Sequence, residues 1–201
     1  MAATIIDLGN ISNTETLPDG DYIVTGLNGD NTLTFGSGND QLTLGNGNNT
    51  LTLNGGTVQI VAGSGNNTVT TTGTGADTVT LTSGNNTVSV GDGPDVISAG
   101  DGLNIVTAGN GNDIVTLGNG FDQVTTGNGN SQITAGNGAG DTITVGTGSN
   151  TILLGNGSAD IVHTGAGNNT LTLSAAAASD DTILGALTSG DGTGNTLVLT
   201  T

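Results

Sequence analysis

The chain has 201 residues, 38 of them glycine, with 17 acidic side chains, one histidine, no cysteine and neither lysine nor arginine, for a formal net charge of −17. Without cations it cannot neutralise phosphates, which excludes nucleic acid and anionic lipid surfaces as partners. Arginine-clamped phosphoryl transfer, lysine-based covalent catalysis, thiol chemistry and a His-rich zinc site are excluded for want of residues. The donors that remain are oxygens, and these suit hard cations, Ca²⁺ or Mg²⁺.

Glycine in such abundance is common in disordered chains, but apolar residues make up 32% here and are evenly dispersed. No apolar run approaches the ~20 residues of a membrane-spanning helix, so no membrane insertion is expected. Met1 to Asn10 lacks the basic start and long apolar stretch of a Sec signal peptide.

In chain order, residues 1–26 read as an irregular N-terminal cap or assembly segment. From Gly36 a nine-residue pattern becomes plain: GSGNDQLTL, GNGNNTLTL and GSGNNTVTT, then GDGPDVISA, GDGLNIVTA, GNGNDIVTL, GNGFDQVTT and GNGNSQITA. The consensus is G-x-G-x-(D/N)-x-U-x-U, with U aliphatic. Sixteen units run from Leu27 to Leu173 with three single-residue insertions, and two looser ones follow, around Thr182-Ile183 and over Gly190 to Leu199. Residues 174–201 thus read as a degenerate final coil and C-terminal cap.

Each unit is a glycine turn followed by a short alternating strand, as in Thr50-Leu51-Thr52-Leu53. One such strand is too short to bury anything alone, but stacked copies bury a continuous strip. The predicted fold is all-β: a parallel β-roll, or β-solenoid, with two short strands per coil and about nine coils. Leu42/Leu44, Val79/Leu81, Val115/Leu117 and Ile152/Leu154 face inward, and Ala62, Ala99 and Ala108 keep the core thin. At ~4.8 Å per coil the body is roughly 40 Å long.

The repeat resembles the RTX (hemolysin-type) calcium-binding nonapeptide, G-G-x-G-x-D-x-U-x. It departs in the first glycine, usually aliphatic or threonine here, and in having asparagine at about half of the aspartate positions. The resemblance implies Ca²⁺ held between neighbouring coils by turn aspartates and loop carbonyls. It also implies type I secretion with an uncleaved C-terminal signal, with which the uncharged tail Asn195 to Thr201 is compatible.

Two units make a coil, so alternate units share an edge. One edge reads Asn31, Asn49, Asn67, Asn86, Asn104, then Asp122, Asp141, Asp160, Asp181. The other reads Asp21, Asp40, Val58, Asp77, Asp95, Asp113, then Ser131, Asn150, Asn169, Asn195. The acids thus change edge between Asp113 and Asp122. A lone turn aspartate commonly does no more than satisfy turn amides. Carboxylates stacked at ~4.8 Å repel unless a cation lies between them. Ca²⁺ is therefore expected between Asp77 and Asp95, Asp95 and Asp113, Asp122 and Asp141, Asp141 and Asp160, and Asp160 and Asp181, with Asp21 and Asp40 as a weaker pair.

Outward positions carry T-x-T pairs such as Thr32/Thr34, Thr50/Thr52 and Thr68/Thr70, similar to those of ice-binding solenoids, though Ile105 and Gln123 break the rank. His163 falls on an outward strand position without a nucleophile beside it, so no enzyme is expected. The sequence points to a secreted, calcium-stabilised structural protein. It would associate with its own copies in an extracellular filament, surface layer or matrix, with cell-surface polysaccharide as a further candidate partner. Ice binding and a monomeric calcium-binding secretion module are the alternatives.

Overall fold

The structure, a computed structural model, describes residues 2–174, 180–185 and 195–200. Ala175–Ala178, within the degenerate final coil, and the start of the last looser unit, Gly190 to Gly194, lie outside the described residues. Alternation of small or polar outward residues with aliphatic inward ones gives 21 short strands among the described residues, numbered β1 to β21 in chain order. Odd strands form an 11-stranded sheet and even strands a 10-stranded one, every described pairing parallel. The result is ten two-strand coils and one further strand, the parallel solenoid that the repeat predicts and one coil longer than expected.

Register is set by the repeat. Thr32 lies on Thr50, Leu33 on Leu51 and Phe35 on Leu53, an offset of 18 residues. Where one residue is inserted, as between Gln59 and Thr78, the offset becomes 19 and the turn absorbs it without disturbing the strands. The core is a single strip of inward aliphatics: Leu51, Leu53, Ile60, Val69, Val79 and Ile152 are each 0% exposed. Burying each such side chain contributes about 1.5–3 kcal/mol. The strands are too short to be stable alone, so stability comes from stacking.

The extra coil lies at the N-terminal end. Residues 1–26, expected to be irregular, contain β1 (Thr4–Asp7), β2 (Thr14–Leu17) and β3 (Tyr22–Thr25). β1 pairs with β3, and β2 lies on the strand Thr32–Phe35. Their sequence departs from the glycine consensus, yet Val24 and Leu8 still supply inward side chains. Two of the three aromatics close this end from within, Tyr22 and Phe35 meeting edge to face with ring centroids 5.9 Å apart.

Candidate calcium-binding turn edges

The turns stack as strictly as the strands do. On the edge that follows the odd strands, Asn31, Asn49, Asn67, Asn86 and Asn104 are each at most 2% exposed, although they lie in turns. Each side chain points into its turn. Asn31 donates from Nδ2 to Gly29 O at 2.9 Å within its own turn and to Asn49 Oδ1 of the next coil at 2.9 Å. Asn49 repeats this to Asn67, Asn67 to Asn86 and Asn86 to Asn104. Main-chain N–H groups join in, that of Asn49 donating to Asn67 Oδ1. The column needs no charge and leaves no buried amide of these residues idle.

At Asn104 the column changes chemistry. Below it stand Asp122, Asp141, Asp160 and Asp181, linked by the same main-chain donation: Asp122 N to Asp141 Oδ1, Asp141 N to Asp160 Oδ1 and Asp160 N to Asp181 Oδ1, at 2.8–3.0 Å. The opposite edge does the reverse. Val58 N donates to Asp77 Oδ1, Asp77 N to Asp95 Oδ1 and Asp95 N to Asp113 Oδ1. Ser131, Asn150, Asn169 and Asn195 then complete the column with uncharged rungs. Each coil in the central stretch thus has one acidic edge and one uncharged edge, and the acids cross over between Asp113 and Asp122.

Aspartate can accept in such a column but cannot donate onward. The main-chain bond uses Oδ1 alone, so Oδ2 of Asp40, Asp95, Asp113, Asp122, Asp141 and Asp181 is buried without a partner. Asp77 differs, because Thr71 Oγ1 donates to its Oδ2 at 2.5 Å. Removal from water raises the pKa values of Asp40, Asp77, Asp113 and Asp122 above the usual 3.8. Burial, reinforced by the carboxylates stacked above and below, pushes Asp95, Asp141 and Asp160 up to about 6. Buried carboxylates without cationic side chains are costly as anions. The orphaned oxygens belong to a hard, all-oxygen donor set, which fits Ca²⁺. Among the described residues no three acidic or histidine side chains converge on one point. The acids meet in pairs along a column, and loop carbonyls are the donors within reach to complete a shell. Glycine keeps those carbonyls close: a Cβ on Gly111 would sit 1.8 Å from Gly93 O, and one on Gly129 1.6 Å from Gly111 O.

The structure separates Asp21 from the others. Tyr22, not Asp21, takes the inward turn position, and its N–H donates to Asp40 Oδ1 at 3.0 Å. Asp21 stands one place earlier in an outer rank, where its Oδ1 accepts from Asn39 N. Asp40 has Tyr22 above and Val58 below, so the expected Asp21–Asp40 pair is not formed. The ordinary offset of 18 residues sets Tyr22 over Asp40, whereas Asp21 is 19 residues away; the ring of Tyr22 packs on Phe35 from that place.

A feature that sequence reasoning missed is this outer rank itself. Asn28 N donates to Asn10 Oδ1, Asn46 N to Asn28 Oδ1 and Ser64 N to Asn46 Oδ1 on one edge. Asn110 N to Asp92 Oδ1 and Asn128 N to Asn110 Oδ1 follow on the other. Here the later coil donates to the earlier side chain, opposite to the buried columns. Each turn is therefore hydrogen-bonded to its neighbours by side chains aimed both ways. The signal was present as the asparagine in each GNG, which reads simply as turn propensity.

The family model of the RTX calcium-binding nonapeptide repeat (4 copies) matches the chain over residues 20–42, 43–79, 56–88, 71–106, 80–115, 89–124, 135–171 and 154–187. No curated protein and no solved structure matches it. With matches across most of its length, the chain belongs to the RTX calcium-binding nonapeptide repeat family, and Ca²⁺ is the ion of that repeat.

Proposed function

We propose that this calcium-binding β-roll is a secreted structural protein, rigid only with Ca²⁺ bound, whose rods associate with their own copies in an extracellular filament, surface layer or matrix. The observation that carries it is the pair of acidic columns: buried carboxylates with idle Oδ2 atoms in a chain that has no lysine or arginine. The ions lie between Asp77 and Asp95, Asp95 and Asp113, Asp122 and Asp141, Asp141 and Asp160, and Asp160 and Asp181. Loop carbonyls complete each shell. In a low-calcium cytosol the charge and the glycine entropy keep the chain open for type I export, and calcium outside folds it. No enzyme activity is part of this proposal.

Self-association is supported by the last described strand. β21 (Thr196–Thr200) continues the inward column, with Leu197 on Leu171 and Leu199 on Leu173, yet these two leucines are 51% and 56% exposed. Such an exposed apolar strip, beyond which no strand pairs among the described residues, suits stacking of a further copy. Electron microscopy of the purified protein with calcium and with chelator tests this. Regular fibres or sheets only with calcium are expected, and monodisperse particles under both conditions would overturn it.

One observation favours a second reading. Thr14, Thr32, Thr50, Thr68 and Thr87 stack in register on the 10-stranded sheet, with Thr16, Thr34, Thr52, Thr70 and Ser89 beside them. Such a double rank of hydroxyls suits ice. A soluble calcium-loaded monomer showing thermal hysteresis would favour this reading over the structural one.

A further inference from the structure

Asparagine is followed by glycine at eight places in the chain. At such a pair the glycine N can close on the asparagine Cγ in a five-membered ring, and the absent side chain leaves that N unhindered. The stacked coils treat the eight differently. Gly29 N donates to Asn46 O, Gly47 N to Ser64 O, Gly55 N to Thr72 O, Gly111 N to Asn128 O and Gly129 N to Thr147 O, at 2.8–3.0 Å. The N–H groups of Gly120, Gly138 and Gly157 have no acceptor among the described residues.

Two of these three adjoin a polarised amide. Asn119 and Asn137 are exposed, and each Oδ1 accepts from the next coil: Asn119 from Asn137 N and Asn137 from Asn156 N, both at 2.9 Å. A main-chain N–H held on Oδ1 draws electron density from Cγ and is already placed for an oxyanion there. Asn156 Oδ1 has no such donor among the described residues. The fold also fixes the attacking residue as glycine. A Cβ on Gly120 would lie 1.9 Å from Gly102 O, and one on Gly138 1.7 Å from Gly120 O.

We propose that Asn119 and Asn137 are sites of self-modification, at which the idle N of Gly120 or Gly138 attacks the neighbouring amide and turns it into a carboxylate. Water takes the glycine N proton, N bonds to Cγ, and the negative charge moves to Oδ1 beneath the N–H of the next coil. The Cγ–Nδ2 bond then breaks, and Nδ2 takes up a proton and leaves as ammonia. A second water opens the succinimide, at Cγ to give aspartate or at the main-chain carbonyl to give isoaspartate. Aspartate already serves at this place in the rank, since Asp101 Oδ1 accepts from Asn119 N and Asp92 Oδ1 from Asn110 N. Conversion to aspartate therefore keeps the rank and adds one negative charge per site to the edge that carries Asp122 and Asp141.

Incubation of the folded protein at neutral pH in calcium, followed by peptide mapping with mass spectrometry, tests it. Asn110 and Asn128 are the controls. They share the Asn-Gly pair, the outer rank, an Oδ1 that accepts a main-chain N–H and an acidic edge, but the N–H groups of their glycines are engaged. Asn119 and Asn137 should convert about two- to tenfold faster than these two, the rate equivalent of one hydrogen bond that need not break first. In urea, where the stack is gone, the four should convert at similar rates. Asn119→Gln combined with Asn137→Gln should abolish the early gain in acid, because closure then needs a six-membered ring. Equal rates at the four sites in the folded protein would overturn the proposal. So would an intact Asn119 and Asn137 under conditions that convert them in urea.

Discussion

Asn104 donates twice to a single oxygen of Asp122, from its main-chain N at 2.8 Å and from Nδ2 at 3.0 Å. This is the point where a self-sufficient amide column meets one that is not. Above it every side chain both donates and accepts; below it every side chain only accepts. The carboxylates depend on something that the chain does not contain, and the crossover distributes that dependence so that the central coils keep one amide-bonded edge while the other awaits an ion.

Removing calcium should therefore unfold the rod as a unit. Adjacent coils share every interface, so loss of ions from either acidic column weakens its neighbours. Circular dichroism should show parallel β-structure in millimolar Ca²⁺ and a largely unfolded chain in excess EDTA, restored on adding calcium back. A chelated chain that kept its full β-signal would show that the amide edges suffice.

Asp95→Asn should exchange calcium dependence for intrinsic stability. The new Oδ1 still accepts from Asp77 N, now 2.8 Å from the aspartate. The new Nδ2 stands toward Asp113 as that of Asn104 stands toward Asp122. In EDTA the variant should be more stable than wild type by about 1–3 kcal/mol, because a buried unpaired charge is gone. In saturating calcium it should be less stable than wild type, with fewer ions bound. Thermal melts under the two conditions measure both signs.

Acid should partly replace calcium. In the ion-free rod Asp95, Asp141 and Asp160 are pushed up to about 6 from an ordinary 3.8. A group whose pKa is raised on folding contributes stability that is complete below its unfolded pKa and lost as pH rises through its folded pKa. The EDTA-treated protein should then be most stable near pH 4 and lose stability between about pH 4 and 6. With calcium bound the carboxylates are held ionised, and the sign reverses: stability is lost as pH falls. Melts from pH 4 to 8 with and without EDTA should give opposite slopes. Parallel slopes would mean that the columns do not exchange protons for metal.

Much of this was legible in the residues. The period of nine set the coil, the alternation in Thr50-Leu51-Thr52-Leu53 set which side chains face in, and the Asn/Asp choice at the fifth place of each unit marked the buried columns. Asp21 was misplaced by one residue: the ordinary offset of 18 sets Tyr22, not Asp21, over Asp40 and leaves Asp21 in the outer rank. Glycine spacing carries no sign of the edge-to-face contact between Tyr22 and Phe35. The outer asparagine ranks were hidden for a different reason. The direction in which Asn28 or Asn46 reaches is a matter of side-chain rotamer, and the same letter in the same repeat serves donation toward either neighbour.

Inserted residues leave one backbone strain that can be relieved. Ala159 has φ of 61°, the only positive value among the described non-glycine residues. It stands in the turn over Gly140, whose φ is 81°, with Asp141 and Asp160 as the next stacked pair. The turn has one residue more than the nine-residue unit, and the left-handed position takes up that extra length. An L-residue pays roughly 1–2 kcal/mol there because its Cβ crowds the following carbonyl, whereas glycine adopts the region freely. Glycine also loses more entropy on folding, so the net gain is smaller. Ala159→Gly should stabilise the calcium-loaded protein by roughly 0.5–1 kcal/mol. The reverse change in the adjacent coil, Gly140→Ala, should destabilise by more, because its Cβ would also meet the Phe121 ring at 2.7 Å. Urea midpoints at fixed calcium measure both. Equal and opposite shifts would mean that backbone strain alone governs this turn and that Phe121 moves aside at no cost.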